Sequence, residues 1–410
     1  MTSWQQVKLE ELISIKHGYA FKGNDITTED NGIVLVTPGN FAVGGGFQEE
    51  KCKFFKGIYP EDYVLKENDL IVTMTDLSKE CDTLGYSALV PGGSRIYLHN
   101  QRIGLVEFKN QLIDKNYLYW FMRTKKYQHF VVSSCSGSVI KHTSPTRICN
   151  AVISLPPLEI QKKIAGVLGA LDDKIELNNK INNNLGQQAS ALFKSWFVDK
   201  EYEVERDTTL GVVCKCELGG TPSRVKPEYW NGNIAWINSG EVNKFRIIKA
   251  SEYITEIGLK HSATKLFPKK TTVLAITGAT LGQISLLEID SCTNQSVVGI
   301  LENETLPYEF IYPYICYNIK ELLSHQTGGA QQHINKQNVE QLALSLPKAT
   351  LIKEYKNIVA PIFELIAKNC FESERLSALR DTLLPKLMSG EIDASKVDIF
   401  NNNLLFREDA

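Results

Sequence analysis

Two segments of the chain share one pattern. SGSVIKHTSPTRICNAVISLPPLEIQKKI (136–164) and TGGAQQHINKQNVEQLALSLPKATLIKEY (327–355) align at a constant offset of 191 residues. Gly137 falls on Gly328, His142 on His333, Ile148 on Val339, and Ser154-Leu155-Pro156 on Ser345-Leu346-Pro347. The match continues upstream with small gaps. Asn100-Gln101 meets Asn294-Gln295, 70–75 (LIVTMT) meets 272–277 (TVLAIT), Gly32-Ile33 meets 232–234, and Gly18 meets Gly219. Solenoid repeats run about 20–50 residues, so a period this long indicates tandem duplication. The 410 residues read as globular unit, helix, globular unit, helix.

Within the units, GIVLVT (32–37), DLIVTM (69–74), IGLVEF (103–108), TTVLAIT (271–277) and QISLLEI (283–289) read as strands between turn-forming Gly, Pro, Asn and Asp clusters. NYLYWFMRTKKYQHF (116–130) and EFIYPYICYNIKELL (309–323) read as helices at matching places in the repeat. The class is α+β.

After each Leu-Pro comes a long amphipathic pattern, over 158–198 and over 348–388. The first seam carries Ile160, Ile164, Leu168, Leu171, Ile175, Ile181, Leu185, Leu192 and Trp196; the second carries Tyr355, Val359, Ile362, Ile366, Leu376, Leu383 and Leu387. Each helix would be about 60 Å long. An isolated helix of this kind is not stable on one apolar stripe. The duplication supplies the partner, so the two are expected to pack antiparallel as a coiled coil, giving a pseudo-twofold repeat. Gly390 fits the stop. Pro361 should kink or interrupt the second helix. Asn178, Asn179 and 182–184 sit where the first seam should be apolar; they fix register, face solvent or mark a break.

Composition bounds the function. Hydrophobic residues at 43% and charged residues at 22% exclude a largely disordered chain. No apolar window of 18 residues suggests a membrane span, and the N-terminal MTSWQQVKLEEL is not signal-like, so a cytoplasmic location is expected. Nine scattered cysteines argue against disulfides and a zinc site; Cys214 and Cys216 read as strand neighbours pointing to opposite sides. The net charge of −2 is low for a chain that grips DNA alone, but residues 100–150 hold eight Lys/Arg against Glu107 and Asp114. Catalytic signatures are missing: there is no P-loop, FAVGGGF (41–47) reads as a turn, and the seven histidines lack metal-ligand spacing. Asp172-Asp173 reads as a solvated helix face. No catalytic or metal-binding residue is nominated.

Taken in order, these stretches resemble the specificity subunit of type I restriction–modification systems over essentially the whole chain. SLPPLEIQKKIAGVLGALDDKIELN (154–178) and ALFKSWFVD (191–199) resemble its central conserved region, and LLPKLMSGEI (383–392) the C-terminal counterpart. NDLIVTMTD (68–76), HNQRIGLV (99–106), GGTPSRVKPEYWNGNIAWINSGEV (219–242), TGATLG (277–282) and TNQS (293–296) resemble target-recognition-domain elements. The resemblance implies target-recognition domains at 1–153 and 201–345, a central conserved helix at 154–200, and a C-terminal conserved helix and tail at 346–410. It implies a non-catalytic reader of double-stranded DNA with a bipartite target. Two methyltransferase subunits and two restriction (motor–nuclease) subunits would dock on it. S-adenosylmethionine, ATP and Mg would belong to those partners, with no cofactor in this chain. The competing reading is a stand-alone duplicated DNA-binding or scaffolding protein.

Base and phosphate contacts call for forked donors and polar loops. The nominated residues are Arg102, Lys141, His142 and Arg147 in the first unit, and Arg224, Lys226, Thr277, Thr280, Gln331, Gln332, His333 and Lys336 in the second. Asn100-Gln101 and Asn294-Gln295 are expected to satisfy buried backbone within each domain instead, and Trp4, Trp120, Trp230 and Trp236 to be core. For Trp196, Phe197, Leu383 and Leu387, partner docking and inter-helix core both stand open.

Overall fold

The computed structural model describes residues 4–76, 78, 80–137, 140–326, 332–400 and 403–406. They form two compact units, one of residues 1–173 with 376–410, the other of residues 174–375. The division falls inside both long helices, so each unit owns a globular body and a stretch of each helix.

The two units have the same internal plan. In the first, a four-stranded antiparallel sheet runs in the order Ile13–His17, Ile103–Phe108, Leu70–Thr73, Ser87–Leu89. In the second, the order is Cys216–Leu218, Val297–Ile300, Thr272–Ala275, Ile284–Leu286. Each unit adds a mixed sheet with one parallel pair, Ile33–Val36 with Ile96–His99 and Trp230–Ile237 with Ser291–Thr293. Each is closed by a two-stranded ribbon just before its long helix, Gln5–Lys8 with Val152–Leu155 and Val204–Thr209 with Ala343–Pro347. The mixed α+β class is therefore present twice.

The strands at the sheet centres are not half-exposed. All four residues of Leu70–Thr73 and of Thr272–Ala275 are buried. Alternate side chains serve different cores: Leu70 and Val72 pack with the helices, whereas Ile71 packs with Val34, Phe54 and Ile103. Leu274 and Val273 divide likewise. A period of two with a core on each face explains why the run is apolar throughout. Cys214 and Cys216 face one core, not opposite sides, as residues two apart along an extended segment must. Trp120 and Trp236 are buried, and Trp4 and Trp230 pack partly buried against core clusters.

The long helices span Leu158–Phe197 and Ala349–Ser389. Within the first unit, Ile164, Leu168 and Leu171 share a core with Leu383 and Leu387, and Asp172 pairs with Arg380 while Lys163 reaches Ser395. Within the second, Ala189, Phe193 and Phe197 pack with Ile352, Tyr355, Val359 and Phe363. There Asn178 meets Glu372, and Asn182, one turn on, meets Asn369 (2.9 Å for both). Rising numbers on one helix meet falling numbers on the other, so the packing is antiparallel inside each unit.

Pro361 does not interrupt the second helix. It sits on the exposed side, and Asn357, whose carbonyl it leaves unbonded, is exposed to water. The helix ends where expected, with Gly390 at φ +77° and its N–H on the Leu387 carbonyl. The asparagines divide: Asn178 and Asn182 are 1% and 3% exposed, while Asn179, Asn183 and Asn184 face solvent. Among the described residues, no helix is long and apolar enough to cross a membrane.

Candidate nucleic-acid interface

One backbone crossing builds the polar edge of each unit. Beyond Leu70–Thr73, the Met74 N–H donates to the Arg102 carbonyl (2.9 Å) and the Met74 carbonyl accepts from the Thr143 N–H (3.0 Å). Thr75 and Asp76 then pair with His142 and Lys141. In the second unit, the Ile276 N–H donates to the Ser296 carbonyl (2.9 Å) and its carbonyl accepts from Ile334 (3.0 Å); Thr277 bridges His333. A strand end, a turn and a loop thus meet at one edge in both units.

The turns are held locally. Asn100 Oδ1 accepts from the Arg102 N–H (3.0 Å), and Asn294 Oδ1 from the Ser296 N–H (3.1 Å). These Asx turns give the two asparagines a backbone role, at an exposed turn in the first unit, while Gln295 Oε1 accepts from the side chain of Thr221 (2.6 Å). Gly18 and Gly219 lie against them. A Cβ on Gly18 would stand 2.2 Å from the Asn100 carbonyl oxygen, and one on Gly219 2.4 Å from that of Asn294. Only a residue without a side chain allows that approach.

The nominated side chains separate once placed. In the first unit Arg102 is exposed, with no side-chain partner among the described residues. His142 is exposed, its Nδ1 3.2 Å from Thr75 Oγ1. Lys141 is half-buried opposite Asp76, and Arg147 Nη1 donates to Ser136 Oγ (3.1 Å). These four basic or imidazole groups share one edge. In the second unit Thr277, Thr280, Gln332 and His333 gather similarly: Gly278 donates to the Gln332 carbonyl (3.1 Å), and Thr280 Oγ1 to the Thr277 carbonyl (3.3 Å). Gln331 lies outside the described residues.

Three nominated cations have structural duties. Arg224 forks onto Glu252 and stacks 3.6 Å over the Trp230 ring. The shared hydrogen bond holds the Glu252 carboxyl below its ordinary pKa range. Lys226 Nζ donates to Tyr229 Oη (2.9 Å). Lys336 Nζ is divided between the Cys216 carbonyl (3.2 Å) and Glu340 (2.9 Å). Of the nominated docking residues, Phe197, Leu383 and Leu387 are buried in the chain's own cores. Trp196 is half-buried beside Phe197 and Tyr355 and lines a surface pocket of about 410 Å³ with Lys200, Tyr202 and Glu354.

The reading of sequence alone missed Asp76. Its buried carboxylate accepts from the Ser78 N–H (2.6 Å), the Thr83 N–H (2.7 Å) and Thr83 Oγ1 (2.7 Å), and so shapes the loop beside Lys141. Burial pushes this carboxyl up, but the donors from Ser78 and Thr83 outweigh it and the net shift is downward. Asp172 also departs from expectation. Its carboxylate is not a solvated face but bridges Arg123 (2.6 Å) and Arg380. Among the described residues, no cluster of three or more His, Cys, Asp or Glu could hold a metal ion.

A duplicated fold with a polar, loop-built edge on each copy defines a two-module recognition protein. The family model of the type I restriction modification DNA specificity domain matches this chain over residues 1–187 and 203–380. The chain belongs to that family, and is a DNA-recognition subunit rather than a catalytic one. It is 24% identical over 397 residues to the HindI specificity subunit of Haemophilus influenzae, across 75% of this chain and 86% of that protein. It is 26% identical over 299 residues to the MjaIX specificity subunit of Methanocaldococcus jannaschii, across 67% of this chain and 68% of that protein. The solved type I restriction–modification S subunit from M. genitalium has a similar fold (TM-score 0.56, 17% identity, 94% of this chain and 96% of that one).

Proposed function

We propose that this chain reads a bipartite double-stranded DNA target, one half with each unit, and that the paired helices set the gap. The observation that carries this is the repeated edge: Met74 and Ile276 make the same two backbone bonds to the same two neighbouring segments. Two copies of one reading edge suit two half-sites better than one continuous site. The first edge is the more basic, with Arg102, Lys141 and Arg147 where the second has Ser296, Gln332 and Asn338. It would therefore provide more of the phosphate contact.

Two methyltransferase subunits would bind the chain and supply S-adenosylmethionine chemistry. Two motor–nuclease subunits would add ATP- and Mg-dependent cleavage. With a net charge of −2, the chain needs partners that share the grip on the duplex. Trp196 and its pocket are the accessible part of the docking set. Affinity purification of the full chain from its host tests the reading. Co-isolation of a DNA methyltransferase in a 2:1 ratio is expected, whereas recovery of a DNA-binding chain with no methyltransferase favours the stand-alone alternative.

A further inference from the structure

Among the described residues, each unit contains one buried arginine at the place where its globular body rests on its helices. Arg123, whose side chain is 7% exposed, follows the helix Lys115–Phe121. Its Nε donates to the Gly44 carbonyl (2.9 Å), and its Nη1 to Tyr119 Oη and Asp172 Oδ2 (2.6 Å each). The guanidinium lies 4.3 Å from the Trp120 ring centroid. Asp172 passes the connection on to Arg380 of the C-terminal helix. One side chain therefore joins the glycine turn at 41–47, a helix of the globular body and the first long helix, and through Asp172 the second. The turn is shaped for it: Gly45 has φ +88°, and a Cβ there would stand 2.5 Å from Arg123 Cγ.

The second unit reaches the same end from the other side. Arg246, whose side chain is 1% exposed, comes from the segment after Ser239–Asn243, the counterpart of Pro38–Asn40 that precedes the glycine turn. Its guanidinium lies 4.6 Å from the Tyr312 ring and 5.5 Å from the ring of Phe363, on the C-terminal helix. Glu288, 3.7 Å from Arg246 Nε, is itself paired with Lys270 (2.5 Å). Phe245, the neighbouring residue, approaches the first long helix at Gly186, where a Cβ would be 3.4 Å from its ring.

The two guanidinium groups hold differently: Arg123 through directed hydrogen bonds, Arg246 through the faces of Phe245, Tyr312 and Phe363 and the charge of Glu288, its Nη1 donating to the Phe245 carbonyl (2.8 Å). Neither arginine is on the polar edge. We propose that Arg123 and Arg246 are positioning residues that fasten each reader to the helix stretch of its own unit, so that selectivity for the gap depends on them and selectivity for bases does not. The proposal rests on the bipartite reading above.

The test uses the full chain assembled with its methyltransferase, and duplexes carrying the native gap, gaps one base pair longer or shorter, or single base changes within a half-site. Asp172→Asn and Arg246→Lys are each expected to lower the preference for the native gap over its neighbours about tenfold, with base preference unchanged. Asp172→Glu, which keeps the carboxylate, should retain most of the gap preference. Unchanged gap preference in both disruptive variants overturns the proposal, as does its loss in step with base preference. Failure of the bipartite reading itself is distinguishable, because it appears in the unsubstituted chain as tolerance of any gap.

Discussion

Met74 and Ile276 are ordinary core residues by type, yet their backbones fix where the polar side chains of each unit lie. The sequence showed the residues that such a crossing positions, because Arg102 and His142 stand beside the aligned Asn100 and Gly137. It did not show which cations were already engaged. Arg224 and Lys336 are cations like Arg102, but Glu252 and the Cys216 carbonyl, which engage them, lie 28 and 120 residues away in the sequence. Asp172 looks solvated in the sequence for the same reason: its two arginine partners lie 49 and 208 residues away. A contrast follows. Arg102→Ala should weaken DNA binding by the assembled complex roughly tenfold, since one forked contact to a base contributes about 1–3 kcal/mol, and leave the melting temperature unchanged. Arg224→Ala should lower the melting temperature, because it removes an ion pair and a cation–π contact that together contribute about 1–2 kcal/mol. Thermal unfolding and anisotropy titrations at fixed salt separate the two; a lowered melting temperature for Arg102→Ala would show that its side chain is structural.

Among the elements, the long helices were the most legible, since forty residues of three- and four-residue spacing leave little choice of secondary structure. The seam was less so. Asn178 and Asn182 interrupt an apolar pattern, and nothing local distinguishes them from the exposed Asn179, Asn183 and Asn184; only the facing Glu372 and Asn369 do. Buried amides contribute less stability than leucines, but a pair that must meet penalises every other register. Register and length are then separate properties of the helix pair. Inserting four residues after Asn183 together with four after Lys368 keeps the amide layer matched and lengthens both helices by about 6 Å. The favoured gap should lengthen while both half-sites are kept. Selection of the original gap by the doubly extended chain, read by methylation of a gap-randomised library, would show that the helices do not set it.

At the scale of the whole molecule, duplication is what made fold and function readable. Neither half carries a motif of high specificity. Two halves with the same order of Gly18 or Gly219, Asn100 or Asn294, and His142 or His333 reveal a repeated architecture, and the repeated family match at 1–187 and 203–380 follows it. The same logic hides the recognised bases, because equivalent backbones present different side chains: Arg102 against Ser296, and Lys141 against Gln332. Independent readers are therefore the central claim. Its most direct test is to exchange residues 205–345 for the corresponding unit of another family member, assemble the chimaera with its methyltransferase, and map methylated adenines across a genome. The account predicts that one half-site changes while the other half-site and the gap persist. Changes in both half-sites would contradict it.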